Sequence, residues 1–114
     1  MQRLLIAAAL CLLATGAKAD FTGNELKGYC EYWPRQTDST IMCMGYMIGS
    51  LDTIRGFNKT VFHGAQYCEP QGFTYDQLAA MLQKYLEDHP QNLQLAASSL
   101  ILNMLTEAFP CQKK

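Results

Sequence analysis

Patterns that carry catalysis or bind metal are missing from this chain. It has two histidines, His63 and His89, in 114 residues. No CxxC, CxxCH or HxxxH pattern occurs, so thioredoxin-like redox chemistry, haem attachment and a zinc site have no basis in the sequence. Nucleophilic catalysis needs a free Cys or a Ser beside a base, and no such constellation stands out. The reading is therefore not an enzyme, with no cofactor. Positive charge is also scarce. Residues 20–114 hold seven Lys and Arg against ten acids, a formal charge of −3, with no basic stripe and no run of like charges. Nucleic-acid binding requires cationic surface that releases phosphate counterions, which excludes that partner. No stretch alternates with period two, so strands are not expected.

A membrane-spanning run is absent too. Leu4 to Ala14 is apolar, but eleven residues fall short of the about 20 that a bilayer core needs. Basic Met1–Arg3 precedes it, and Ala17-Lys18-Ala19 has the small-x-small form that signal peptidase cuts after. Residues 1–19 thus read as a cleaved signal peptide and 20–114 as one exported domain with no stable membrane insertion. Cys11 leaves with the signal. Four cysteines stay, Cys30, Cys43, Cys68 and Cys111, and an even number in a small exported chain implies two disulfides.

What is present is helical. Phe21-Thr22-Gly23-Asn24-Glu25-Leu26 and Phe73-Thr74-Tyr75-Asp76-Gln77-Leu78 open alike. In each, Thr is an N-cap, Glu25 or Gln77 reaches back to the cap amide, and Phe meets Leu as a hydrophobic staple. The first helix is expected over Gly23–Tyr32, ending before Pro34, which disfavours helical geometry at Trp33. Arg35–Thr40 reads as a polar loop. A second helix spans Thr40–Phe57, with Met44, Met47, Ile48, Leu51 and Ile54 at core spacing. Residues 57–72 form a long connection. A third helix runs Tyr75–Asp88, and a fourth from Pro90, suited to a first helical position, to Ala108. The fold class is all-α, a small four-helix domain cross-linked by two disulfides.

The cysteines sit at helix ends. Antiparallel neighbours bring Cys30 to Cys43, and a third–fourth helix hairpin brings Cys68 to Cys111, which favours that pairing among the three possible. The second helix carries Gly45, Gly49, Asp52 and Gly56 on its other side. Three helical glycines cost about 1 kcal/mol each against Ala. Close approach of another helix, within the monomer or across a homodimer, is the expected compensation, with Asp52 as a structural carboxylate there.

The order of residues resembles a known family. A first helix ends in Cys30. Next come Cys43-Met44-Gly45-Tyr46-Met47-Ile48-Gly49-Ser50-Leu51-Asp52 and Cys68-Glu69-Pro70-Gln71-Gly72-Phe73-Thr74, then Tyr85-Leu86-Glu87-Asp88-His89-Pro90 and Ala108-Phe109-Pro110-Cys111. This is similar to the Rap/Tai family of type VI secretion immunity proteins. The resemblance implies a helical, disulfide-bonded periplasmic protein that binds a peptidoglycan amidase effector and covers its cleft. It also implies a dimer bridging two effectors. Two segments are candidates for the inhibitory contact. One is the helix junction with Asp88, His89, Gln91 and Asn92, stiffened by Pro90. The other is the long connection, with Phe62 and Tyr67 either as aromatic anchors or folded back onto the core. The competing reading from another class is a small periplasmic chaperone or stress protein with the same scaffold.

Overall fold

The computed structural model describes residues 21–112. The expected signal peptide, residues 1–19, lies outside the described residues. Four α-helices follow in order: α1 Gly23–Cys30, α2 Asp38–Thr60, α3 Tyr75–Asp88 and α4 Ala97–Ala108. A 3-10 turn, Pro90–Asn92, stands between α3 and α4.

Local sequence chemistry starts three of the helices. At α1 the Thr22 hydroxyl accepts from the Glu25 amide, while the Glu25 carboxylate accepts from the Thr22 amide at 2.8 Å. Thr74 and Gln77 repeat this at α3, with the Thr74 amide donating to Gln77 Oε1 at 2.9 Å. Each reciprocal pair satisfies two amides that the helix leaves without partners. The staple phenylalanines point inward: Phe21 stacks on Tyr29 and Tyr46, and Phe73 meets Phe109 edge-on.

A third capping box begins α2, earlier than the sequence reading placed it. Thr37 and Thr40 cap each other, with the Thr37 amide donating to Thr40 Oγ1 at 2.8 Å. The Thr40 hydroxyl also donates to the Thr37 carbonyl, which satisfies its buried oxygen. Helix α2 therefore gains two residues at its start, and at its far end it continues three past Phe57. Helix α1 stops at Cys30, two residues sooner than expected, and turns lead on to a cis Trp33–Pro34 bond.

The largest departure is at α4, expected from Pro90 but beginning at Ala97. The backbone of residues 93–97 is committed elsewhere. Gly23 donates to the Leu95 carbonyl at 2.9 Å, Asn24 to the Leu93 carbonyl at 2.8 Å, and Ala97 to the Phe21 carbonyl at 2.7 Å. Thr22 and Ala96 form an antiparallel bridge. These bonds satisfy the first amides of α1 with carbonyls that a continuous helix would have used itself.

The core is a single cluster drawn from all four helices. Leu26, Met47, Leu51, Leu78, Leu82, Leu86, Leu100, Ile101 and Leu105 are nearly or fully buried. Burying a side chain of this size contributes about 1.5–3 kcal/mol. Met44, expected inward, is exposed, and Cys43 takes its place on the buried stripe of α2. Disulfides Cys30–Cys43 and Cys68–Cys111 form as the helix-end argument predicts, with Cα atoms 5.1 and 4.9 Å apart. They close loops of 13 and 43 residues, worth about 3 and 4 kcal/mol by loop entropy. Gln83 of α3 donates to the Cys30 carbonyl at 2.8 Å and so satisfies the end of α1.

Candidate partner-binding surface

The junction after α3 is held from beneath. The His89 amide donates to the Tyr85 carbonyl at 3.1 Å. Its Nδ1 lies 2.8 Å from the same oxygen, which can only accept, so Nδ1 carries the proton. The imidazole stacks on the Tyr85 ring with centroids 4.1 Å apart. His89 is thus a helix cap leaning on the core. Asn92 donates to the His89 carbonyl and Leu95 to the Asn92 carbonyl, both at 3.0 Å. Beyond them Leu93 is buried, and the chain is tied to α1. Between these anchors Asp88, Pro90 and Gln91 face solvent. Asp88 pairs with Lys84 at 2.8 Å, and a pair this exposed contributes little to stability. It raises the Lys84 pKa, chiefly through that hydrogen bond.

The long connection is equally well held, by different means. Asn58, near the end of α2, donates to the Tyr67 carbonyl and accepts from the Gln66 amide, both at 3.0 Å. The Gly64 amide donates to the Asn58 carbonyl. His63 and Gly64 make the turn with positive φ, 51° and 77°, a backbone region that a non-glycine residue adopts uncommonly. Arg55 grips Glu69 through Nε and Nη2, with Nε to oxygen 3.0 Å, and lies over the Tyr75 ring. That bond to Glu69 is the main reason the Arg55 pKa is raised.

Of the two alternatives for Tyr67, this geometry takes the inward one, and Tyr67 is not an anchor for a partner. It is 2% exposed, and its hydroxyl reaches Glu69 at 3.4 Å. Burial first, then the Glu69 charge, pushes its pKa up to about 12. A side chain so enclosed has no surface to offer a partner. Phe62 remains exposed, beside Phe57 and Val61. With Ile54, Phe62, Leu102 and the α4 serines Ser98 and Ser99, Phe57 lines a cavity of about 250 Å³.

Of the two alternatives for the glycine side of α2, close packing within the monomer is not what the structure has. A Cβ added at Gly45, Gly49 or Gly56 meets nothing within 4 Å, so none of the described residues packs closely there. Asp52 is exposed. It lies 3.5 Å from Arg55 Nη1 and accepts from the Tyr75 hydroxyl at 3.2 Å. The glycine that close packing does require is Gly23, where an added Cβ falls 2.4 Å from Leu100 Cδ1 and 2.9 Å from the Leu93 carbonyl oxygen. Its place just after a capping threonine was visible in the sequence, but the strand-like segment it touches was not.

All four cysteines of the described chain are cross-linked and supply no thiolate. The exposed, anchored segments therefore make a binding surface the site to consider. A family model described as Rap1a immunity proteins matches residues 22–111. The chain belongs to the Rap1a immunity protein family. The match runs from the cap of α1 to the last cysteine, so both disulfides and both exposed segments lie inside it. No curated protein and no solved structure matches the chain. Membership in the Rap1a family implies a protein effector as partner.

Proposed function

We propose that this protein is a periplasmic immunity protein that binds a type VI-secreted peptidoglycan amidase and blocks its cleft. The observation that carries this reading is the Rap1a family match across residues 22–111. The two disulfides fit an exported chain. Blocking a cleft calls for a protruding element whose ordering cost is met before binding. The exposed α3–α4 junction meets its ordering cost in advance. It is fixed on one side by the His89 cap and its stacking on Tyr85, and on the other by the hydrogen bonds of residues 93–97 to α1. Asp88, Gln91 and Asn92 would then make polar contacts in the cleft, with His89 positioning them from below.

Calorimetric titration against a type VI-secreted peptidoglycan amidase from the same cell tests this. Asp88→Arg/Gln91→Arg changes exposed side chains only, so the fold should survive. We expect tight, stoichiometric binding by the parent and at least a roughly tenfold loss in the double variant, the size of effect that one central contact carries. If the double variant binds like the parent and Phe62→Ala does not, the long connection is the inhibitory surface and the junction is scaffold.

A further inference from the structure

We infer that Cys68–Cys111 is a thiol-exchange site, which a low-molecular-weight thiol opens at Cys68 in the folded domain, while Cys30–Cys43 is permanent. The two disulfides differ in access. Cys30 and Cys43 are 2% and 0% exposed and belong to the core cluster. Cys68 is exposed and Cys111 half-buried. Exchange requires a thiolate to reach one sulfur from outside, so access separates labile disulfides from structural ones.

The surroundings of Cys68–Cys111 suit an open form. The Gly64 carbonyl oxygen lies 3.3 Å from Cys111 Sγ and 3.8 Å from Cys68 Sγ. A sulfur in a disulfide has no proton to give that oxygen, but a thiol has one. The acceptor therefore stabilises the reduced pair and not the bonded one. Its position does not depend on the disulfide, since the Gly64 amide donates to the Asn58 carbonyl and the Ala65 amide to the Phe62 carbonyl. Cys68 is fixed by its neighbours as well: Tyr67 is buried with its carbonyl on Asn58, and Glu69 is gripped by Arg55. The Cys111 side is held less. The Phe109 carbonyl accepts from the Cys68 amide at 2.8 Å, the Phe109 ring meets Phe73 edge-on, and Pro110 has no amide to add. Opening thus leaves Gly64 and Cys68 in place and loosens the chain from Phe109 onward.

The thiol is the reductant. Its thiolate forms a bond to Cys68 Sγ as the bond from Cys68 to Cys111 breaks. The electron pair of the broken bond goes to Cys111 Sγ, which takes up the proton that the incoming thiol lost and turns it toward the Gly64 oxygen. A second thiol then displaces Cys68 Sγ, so that two thiols are oxidised to one disulfide while Cys68–Cys111 is reduced.

Reduced glutathione, added to the oxidised, signal-free protein in native buffer, tests the inference. Samples are alkylated over time and their peptides mapped by mass. We expect the glutathione adduct on Cys68, an alkylated Cys111 and an intact Cys30–Cys43. The exposed disulfide should open at least about tenfold faster than the buried one, which reacts only when the core opens. Circular dichroism should stay native. Hydrogen exchange should speed up at the Cys68 amide, whose acceptor is the Phe109 carbonyl, and stay slow at the His89 amide, bonded to Tyr85. An adduct on Cys111 overturns the inference. So does opening of Cys30–Cys43 first or at the same rate, and so does a Cys68–Cys111 bond that opens only when the domain unfolds. No effector enters the experiment, so this inference and the immunity reading fail separately.

Discussion

Gly23 and Gly49 are the same residue in opposite situations. At Gly23 the Leu93 backbone and the Leu100 side chain occupy the space where a Cβ would stand. That closeness is what lets the amides of Gly23 and Asn24 reach the carbonyls of residues 95 and 93. At Gly49 there is open space, and the helix carries the cost of glycine with no close contact among the described residues. A glycine in a helix therefore marks a possible close approach without saying which chain makes it. One glycine holds this fold together, and three shape a surface.

The contrast extends to the two sides of α2. Leu51 is fully buried on the inner side, so Leu51→Ala should cost about 2–5 kcal/mol, the largest effect expected. Denaturant unfolding with an unchanged slope would confirm it, and a change below 1 kcal/mol would show that the inner side is loosely packed. Gly23→Ala comes next. It pushes a methyl group against backbone and should cost about 1–3 kcal/mol, with a fall in Tm of about 4–8 °C per kcal/mol. A neutral result would mean that the α1 start and residues 93–97 do not meet as closely as described. Thr37→Ala removes the cap of α2 and should cost about 1 kcal/mol. Smallest, and opposite in sign, is Gly49→Ala. It should gain up to about 1 kcal/mol, and a loss there would erase the contrast with Gly23.

Much of this fold was legible because its determinants are local. Thr22 with Glu25 and Thr74 with Gln77 announce their helices, and the cysteines sit where antiparallel helix ends must meet. Thr37 carries no such announcement, because its partner three residues on is Thr40, which lacks the long carboxylate or amide that signals a capping box. The late start of α4 had no local signal. Residues 93–96 are kept out of a helix by hydrogen bonds of this stretch to residues some 70 positions earlier in the chain. Helical spacing grouped the glycines on one side of α2 but did not say that this side faces outward. For the candidate surface, Pro90 and the exposed junction could be read directly. For Tyr67 and Phe62 the sequence left both directions open, and the ion pair of Arg55 with Glu69, 14 residues apart, that the Tyr67 hydroxyl joins had no local signal.

The central claim is that this domain protects against a wall-degrading amidase by occupying its cleft. The most direct test follows the effector's hydrolysis of purified peptidoglycan as the oxidised immunity protein is added. The account predicts that hydrolysis stops at one domain per effector, and that Asp88→Arg/Gln91→Arg shifts the curve to higher concentration. Unabated hydrolysis in the presence of excess, correctly folded protein would contradict it.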